Sequence, residues 1–282
     1  MSEGLATIAE VLASAIDQLQ TLSPTARLDA ELLVAGCLEQ SRSFLVSHAG
    51  EALSPQTCER IARAVGRRKQ GEPVAYILGL KEFWSLELEV DRRVLIPRPE
   101  TERLVEFALE VLPSEGHSKV LDLGTGSGAV ALAIAHERPA ARIMATDILP
   151  EAITVACRNA ERLELGNVTF LVGDCYEPVG AMHFDLIVSN PPYVAADDPA
   201  LASPELRAEP RGALVPGPTG LEAIERIVAR AREHLRPGGW LALEHGARQG
   251  KAVAALLSQA GFSTIRNFKD LAGHDRVAAG RI

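Results

Sequence analysis

The chain of 282 residues has little basic charge, few aromatic residues and only four cysteines. Lysine and arginine number 29 against 37 aspartates and glutamates, which gives a formal net charge of −8. This balance argues against a general nucleic-acid coat, because phosphate binding depends on basic side chains. No apolar run approaches the roughly 18 residues of a membrane span, and residues 1–15 lack the basic start of a secretory signal. We therefore expect a soluble, cytoplasmic protein.

The four cysteines are scattered, with no C-x-x-C pair, and stand at Cys37, Cys58, Cys157 and Cys175. This spacing favours neither a zinc site nor a disulfide framework, so we predict no metal. Hydrophobic residues make up 47% of the chain and charged residues 23%, which is typical of a globular protein with a real core. The length fits one large domain, or one large and one small domain.

The first seventy or so residues have the pattern of helices. Apolar residues recur three and four positions apart and predict a first helix: Leu5, Ile8, Leu12, Ile16 and Leu19. Ser23-Pro24 and Ser54-Pro55 each combine an N-cap residue with proline at the first helical position, which predicts two more helix starts. The last helix is expected to bury Ile61, Ala62 and Val65 and to stop at Gly71. A small helical bundle therefore comes first.

The pattern then changes to strands and to a parallel sheet. Leu86, Leu88 and Val90 alternate with glutamates, as in a half-buried strand, and Pro97 and Pro99 require an extended segment. Strands are predicted over residues 120–123, 142–146, 168–172, 185–189, 240–244 and 263–268, with helices over 129–137, 150–165, 220–235 and 249–260. Such alternation predicts an α/β fold in which ligands bind at the carboxyl ends of the strands.

The first strand of that sheet runs into a glycine loop, Gly124-Thr125-Gly126-Ser127-Gly128. Glycines let the backbone turn tightly and approach a ligand without interference from a Cβ atom. With Ala129 the same letters satisfy the dinucleotide pattern G-x-G-x-x-G/A, so a nicotinamide cofactor stays possible. The glycines alone do not decide between cofactors.

Acidic residues follow the next two strands. Asp147 lies about twenty residues beyond the loop, where a carboxylate can accept hydrogen bonds from both hydroxyls of a ribose. Gly173-Asp174-Cys175 places a second acid within reach of the exocyclic amine of adenine. Either acid can instead cap the helix that follows it. Together the positions predict a nucleoside site.

The fourth strand is followed by Asn190-Pro191-Pro192-Tyr193. This sequence looks like the signature of S-adenosylmethionine-dependent methyltransferases that act on planar exocyclic or amide nitrogens. The side-chain oxygen of Asn190 and the carbonyl of Pro191 can each accept one N–H and aim the nitrogen lone pair at the methyl group. Tyr193 can stack on the substrate plane and stabilise developing positive charge. A plain rigid turn is the alternative role of this motif.

The sequence as a whole closely resembles the PrmC/HemK family of peptide chain release factor glutamine methyltransferases. The resemblance covers most of the chain, and I-P-R-P-E-T-E at residues 96–102 is its most specific segment. The other matching segments are residues 71–79, 83–84, 122–128, 190–193, 209–211, 220–221, 244–246, 249–250 and 269–271.

The resemblance implies a class I, seven-stranded, Rossmann-like methyltransferase domain at residues 100–282. A helical substrate-recognition domain at residues 1–72 and a hairpin connector at residues 73–99 would precede it. The implied reaction methylates N5 of the glutamine in the Gly-Gly-Gln motif of class I release factors. The methyl donor would be S-adenosyl-L-methionine and the product S-adenosyl-L-homocysteine.

The implied site follows the family's motifs. Donor binding would fall to Gly124, Thr125, Gly126, Ser127, Gly128, Asp147, Asp174, Cys175 and Asn190. Substrate binding would fall to Asn190, Pro191, Pro192 and Tyr193, of which Asn190, Pro191 and Tyr193 would be catalytic. Cys175 stands where the family commonly has an aromatic residue, which weakens its expected adenine contact. Residues 214–219 depart from the family's usual Gly-Gly-x-Asp stretch, so no role is assigned to them.

Three further groups of residues have two possible roles each. A basic run can grip the release factor or simply be a solvated helix face: Arg60, Arg63, Arg67, Arg68 and Lys69. Arg98 and Glu100 can close the donor pocket or brace the connector. Glu244 and His245 can form an acid/base pair or be structural.

Three other functions are compatible with parts of the sequence. A nucleic-acid adenine or cytosine amino-methyltransferase would use the same Asn190 motif, but it would be expected to carry a basic recognition domain. A nicotinamide oxidoreductase is favoured only by the glycine pattern. A non-catalytic adaptor would not need the complete Asn190 to Tyr193 set. We expect a monomer with no stable nucleic-acid partner and no membrane partner.

Overall fold

The computed structural model describes residues 5–282, which form two compact units. One unit contains the described residues up to Leu80 together with residues 202–208. The other contains Lys81–Leu201 and Glu209–Ile282. Residues 1–4 of the predicted first domain lie outside the described residues. The predicted boundaries of the recognition domain, the connector and the methyltransferase domain, at residues 72 and 99, stay predictions.

The helices and strands of the described residues alternate in the order expected of an α/β protein after a helical start. In chain order they are α1 (Ile8–Leu19), α2 (Ala26–Leu38), α3 (Arg42–Ser47), α4 (Pro55–Lys69), α5 (Val74–Leu78), β1 (Leu80–Phe83), β2 (Leu86–Glu89), α6 (Glu102–Val111), β3 (Lys119–Leu123), α7 (Ala129–Glu137), β4 (Arg142–Asp147), α8 (Pro150–Arg162), β5 (Val168–Val172), β6 (Phe184–Ser189), α9 (Pro204–Ala208), α10 (Glu222–Ala231), β7 (Leu235–Glu244), α11 (Gly250–Gln259), β8 (Ser263–Lys269) and β9 (Asp275–Arg281).

The first helix begins with a capping box. The Thr7 hydroxyl accepts the backbone N–H of Glu10, and the Glu10 carboxylate accepts the N–H of Thr7. Ile8 and Leu19 from the predicted apolar stripe are buried. Leu5 precedes the helix and is 56% exposed, so its inclusion in the stripe was wrong.

Only one of the two Ser-Pro pairs starts a helix as predicted. Ser54 caps α4 with Pro55 at the first turn, as predicted. The helix predicted from Ser23 starts only at Ala26, because the Ser23 hydroxyl donates to Asp29 instead of capping. Within α4 the buried face includes Ile61 and Val65, but Ala62 is exposed, contrary to the prediction.

The basic residues of α4 do not form one free patch. Arg68 is 7% exposed and donates to Asp29 at 2.7 Å and to Glu205 of α9 at 2.6 Å. Arg67 pairs with Glu72, and Arg60 donates to the carbonyl of Cys37. Lys69 donates to the side chain of Gln18 at 3.5 Å, so four of the five basic residues make contacts within this unit.

The second unit is built on a seven-stranded sheet in the order β5-β4-β3-β6-β7-β9-β8. The first five strands are parallel, with Asp122 beside Ala145 and Val188 in the shared register, and β9 runs antiparallel to β7 and β8. All six predicted strands are present. The strand β9 was missed because its alanines and glycine have low strand propensity, yet Val277 to Ala279 are fully buried between neighbours.

Helices cover both faces of this sheet. Val120 of β3 packs in one core cluster with α6 and α7, whereas Leu121 and Leu123 pack in a second cluster with α10 and α11. Neighbouring strand residues point to opposite faces, so a strand buried on both sides is mostly apolar, as β3 is apart from Lys119 and Asp122. Because β5, β4, β3, β6 and β7 run parallel, their carboxyl ends lie at the same edge of the sheet.

The connector is the two-stranded hairpin of β1 and β2. Trp84 and Ser85 both have positive φ, as a tight hairpin turn requires. The buried Asn159 side chain of α8 binds the N–H and the carbonyl of Glu89, and also the carbonyl of Ser127. One amide thus links the hairpin to the glycine loop. Among residues 5–282, no helix is long and apolar enough to cross a membrane.

Candidate active site

A single cavity lies at the carboxyl ends of β3, β4 and β6 in the second unit. It is lined by most of the residues expected at a donor and substrate site: Gly124, Thr125, Gly126, Ser127, Asp147, Asp174, Cys175, Asn190, Pro191 and Pro192. Gly128 and Tyr193 do not reach its wall. The cavity occupies the position at which ligands bind in open α/β sheets.

The glycine loop forms one wall. Gly124 and Gly126 have φ of +70° and +56°, and a Cβ atom on either would meet no atom within 4 Å. The N–H groups of Gly124 and Thr125 are held by the carbonyl of Thr146, which fixes the loop to β4. Gly128 serves packing instead, since its Cβ would lie 3.0 Å from Leu132 and 3.2 Å from Ala156.

Asp147 supports the loop as well as facing the cavity. Its Oδ2 accepts the N–H of Gly126 at 2.9 Å, and its Oδ1 accepts the N–H of Leu149 at 3.0 Å. Burial raises the pKa of this carboxyl, while the backbone N–H groups of Leu149, Gly126 and Ile148 oppose the rise. Each oxygen keeps a second lone pair for a ligand. The capping role and the binding role are therefore compatible.

Asp174 and Cys175 line the cavity beside β5. Asp174 lies 3.5 Å from the guanidinium of Arg226, and its side chain is 41% exposed. Cys175 has a φ of +47°, and its carbonyl accepts the Thr146 hydroxyl at 3.1 Å. Burial and the neighbouring Asp174 raise the pKa of the Cys175 thiol to about 12. The cysteine is thus a neutral wall residue here.

Several residues of the wall were not predicted, and two parts among them are chemically distinct. Asp122 at the end of β3 is 2% exposed and accepts the Thr125 hydroxyl at 2.6 Å; burial raises its pKa to about 7. Ile148 and Leu149 follow Asp147 and are 62% and 41% exposed beside the cavity. The sequence signal was an apolar pair directly after the strand-end Asp147, and the structure shows that this pair is exposed.

Asn190 and Tyr193 are each held by a buried side chain that is distant in the sequence. Asn190 donates its Nδ2–H to the hydroxyl of Thr101 at 3.0 Å, and Thr101 is 3% exposed. The Tyr193 hydroxyl donates to Glu244 at 3.0 Å. Glu244 is fully buried, and burial raises its pKa to about 7. Tyr193 is therefore anchored at its hydroxyl end.

The backbone of Tyr193 is fixed by a third contact. The Gln249 side chain donates to the carbonyls of Tyr193 and Gly220, at 3.1 Å and 3.2 Å, and accepts the N–H of Gly246 at 2.8 Å. Gly220 must lack a side chain, because a Cβ there would lie 2.5 Å from the Tyr193 carbonyl oxygen. Several motifs without an assigned role thus converge on this loop.

Arg98 and His245 both make structural contacts. Arg98 pairs with the buried carboxylate of Glu209, which also accepts the N–H of Ile96 at 3.3 Å, so Arg98 braces the connector. His245 is fully buried and bonds the carbonyl of Gly246, and burial lowers its pKa, which fits a structural role. Among residues 5–282 no group of three or more potential metal ligands is found.

Comparison with known proteins finds relatives that match nearly the whole chain. A family model of the PrmC N-terminal domain matches residues 10–79, and one of the methyltransferase small domain matches residues 103–265. The release factor glutamine methyltransferase of Xylella fastidiosa (strain Temecula1) is 46% identical over 271 residues, which are 96% of each chain. The protein of that name from Escherichia coli (strain K12) is 42% identical over 270 residues, 96% of this chain and 97% of its own.

A solved structure supports the fold. A methyltransferase from Pyrococcus furiosus matches with a TM-score of 0.52 and 22% identity, and the match covers 70% of this chain and 88% of that one. Likeness at this identity shows the architecture of the sheet and its helices.

Proposed function

The chain belongs to the release factor glutamine methyltransferase family, and we propose that it methylates the side-chain amide nitrogen, N5, of the glutamine in the Gly-Gly-Gln motif of class I release factors. The observation that carries this proposal is the shared cavity. Asn190, Pro191 and Pro192 line the same space as the glycine loop and Asp147. A group held by the proline motif therefore lies beside a group held by the loop.

We propose S-adenosylmethionine as the methyl donor, and the wall has the chemistry to hold it. The open space over Gly124 and Gly126 admits a ligand close to the backbone. Asp147 offers carboxylate oxygens to ribose hydroxyls, and Ile148 offers an apolar surface to a flat ring. Asp174 can accept a hydrogen bond from an amine. When bound, this donor supplies an electrophilic methyl group on a sulfonium.

The residues at Asn190 to Pro192 meet the needs of an amide nucleophile. The lone pair of an amide nitrogen is delocalised, so the nitrogen must become pyramidal and gain positive charge as it attacks. The Oδ1 of Asn190 and the carbonyl of Pro191 can accept its two N–H groups and stabilise that charge. The two prolines lock φ, so these acceptors are in place before the substrate arrives.

No general base is required from the protein. Once alkylated, the amide nitrogen is strongly acidic and can lose its proton to solvent. The buried carboxyls nearby serve structure instead, with Glu244 on Tyr193 and Asp122 on Thr125. We therefore assign the catalytic contacts to Asn190 and Pro191, and we propose that Tyr193 limits the movement of their loop.

We propose class I release factors as the partners, with binding helped by the helical unit. Of the five basic side chains of α4 only Arg68 is buried, and the exposed Arg67 is paired with Glu72, so the charge offered to a partner is smaller than the sequence suggested. Translation termination takes place in the cytoplasm, so we propose that location for the protein. We also propose that it acts as a monomer without a stable nucleic-acid partner.

A transfer assay with labelled donor tests the proposal. The protein is incubated with methyl-labelled S-adenosylmethionine and either a class I release factor or duplex DNA. The matched control is the same release factor with alanine in place of the motif glutamine. We expect label on the unaltered release factor alone. Label on DNA, or equal label on the glutamine-free control, would contradict the proposal.

A calorimetric comparison of donors tests the cofactor. We expect S-adenosylmethionine to bind and NAD not to bind at equal concentration. Binding of NAD alone would restore the nicotinamide alternative that the glycine pattern leaves open.

A further inference from the structure

Thr101 stands at the start of α6, far from Asn190 in the sequence, yet it touches the key amide. Its hydroxyl oxygen accepts the Nδ2–H of Asn190 at 3.0 Å across 89 residues of chain. Thr101 is 3% exposed, so water does not compete freely for this contact. Thr101 also lines the cavity together with Asn190.

The orientation of the Asn190 amide decides what it can do. An amide presents an acceptor oxygen on one side and a donor NH₂ on the other. With Nδ2 directed at Thr101, Oδ1 is the atom left for a ligand, and no protein group among residues 5–282 donates to it. If the amide turned over, it would present N–H groups to the N–H groups of the substrate. Such an arrangement repels an amide nucleophile.

We propose that Thr101 is a positioning residue for methyl transfer, which holds the Asn190 amide so that its oxygen faces the substrate nitrogen. The inference rests on the proposed function, because it concerns the glutamine amide as substrate. It gives a role to Thr101, a residue of the I-P-R-P-E-T-E segment for which the sequence suggested none.

The direction of this contact follows from the two groups themselves. The Nδ2 group of Asn190 can only donate, and the Thr101 hydroxyl oxygen has the lone pairs to accept. A side chain without an acceptor at residue 101 could not hold the amide in this orientation.

A pair of substitutions at residue 101 separates this role from packing. Thr101→Val keeps the shape of the side chain but removes the acceptor, whereas Thr101→Ser keeps the hydroxyl and removes a methyl group. For Thr101→Val we expect kcat on the release factor to fall roughly 10- to 100-fold, the effect of losing one buried hydrogen bond. Donor affinity should stay near that of the unaltered protein. Thr101→Ser should retain most of the activity.

A second measurement follows the hydrogen bond without any reaction. The side-chain NH₂ resonances of Asn190 are identified in a ¹⁵N correlation spectrum by their loss in Asn190→Ala. We expect slow hydrogen exchange of this group in the unaltered protein and in Thr101→Ser, and fast exchange in Thr101→Val.

The outcomes distinguish the two proposals. Equal loss of kcat in Thr101→Val and Thr101→Ser, or normal kcat in Thr101→Val, would overturn the role of Thr101 while the proposed function stands. An unaltered protein that binds donor but methylates no release factor would contradict the proposed function and the role of Thr101 with it. The exchange measurement would then still report whether Thr101 holds the Asn190 amide.

Discussion

Asn190 and Asp147 face one cavity but are proposed to hold different ligands. Asn190→Ala removes an acceptor that is needed only when the amide nitrogen gathers charge. We expect kcat to fall by about 100-fold or more, as when one preorganised polar contact is removed from a transition state. Donor affinity, measured by calorimetry, should change little. Near-normal turnover in this variant would contradict the assignment of Asn190.

Asp147→Ala is the matched control on the donor side. It removes the acceptor for ribose hydroxyls and frees the N–H of Gly126. A loss of about 2 kcal/mol in donor binding is expected from charge-assisted hydrogen bonds. Unchanged donor affinity in Asp147→Ala would remove this residue from the site.

The buried carboxyl of Glu244 predicts a pH dependence of stability. Its pKa is raised from 4.5 to about 7 by burial, so the folded state binds its proton more tightly than the unfolded state. The free energy of unfolding should therefore decrease as pH rises from about 4.5 to 7, by an amount on the order of 3 kcal/mol for this group. Below pH 4.5 both states are protonated, and the full contribution is present.

Urea unfolding at several pH values tests this, with Glu244→Gln as the comparison. Asp122 has a similarly raised pKa and adds the same sign of pH dependence in both proteins. The difference between the two slopes isolates Glu244. Parallel curves for the two proteins over pH 5 to 7 would show that Glu244 titrates normally.

Sequence reasoning at this scale found residues within motifs and missed residues that act across the chain. The donor loop, Asp147 and the proline motif are local patterns, so their place in one cavity could be expected. The hydrogen bonds from Asn190 to Thr101 and from Tyr193 to Glu244 join residues 89 and 51 positions apart. Such pairings depend on the folded sheet, and no local sequence pattern predicts them.

Individual elements place these residues, and the packing of the turn from β3 to α7 depends on Gly128. Gly128 has a φ of +85°, and a Cβ atom there would lie 3.0 Å from Leu132 and 3.2 Å from Ala156. We expect Gly128→Ala to lower the free energy of unfolding by about 1 to 3 kcal/mol, from backbone strain and overpacking.

The control for this prediction is Gly166→Ala in the same unit. Gly166 precedes β5, has no positive φ, and a Cβ there would meet no atom within 4 Å. Its substitution should change stability by less than about 0.5 kcal/mol. The fluorescence of Trp84 and Trp240 follows urea unfolding of this unit, in which both tryptophans lie. Equal midpoints for the two variants would contradict the packing role of Gly128.

Elements with strong periodicity were predictable and the others were not. The parallel strands are apolar on both faces, and α7 and α8 start where predicted. The start of α2 was misplaced because Ser23 bonds the Asp29 side chain, a preference that depends on the buried Arg68. The last strand, β9, has small residues at its centre. It is a strand because it pairs with β7 on one side and β8 on the other.

The whole molecule combines a helical unit with a methyltransferase unit, and both match family models. The sequence predicted this order of parts but not that residues 202–208 join the helical unit. That segment is only one short helix, and its anchor from Glu205 to Arg68 spans 137 residues. Glu209, the next residue, belongs again to the methyltransferase unit.

Mass measurement of the substrate tests the central claim most directly. The purified protein is incubated with S-adenosylmethionine and a class I release factor, and the peptide carrying Gly-Gly-Gln is fragmented. We predict the added mass of one methyl group on the side chain of that glutamine, and none with Asn190→Ala. An unmodified glutamine, with donor binding intact, would show that this cavity serves a different planar nitrogen.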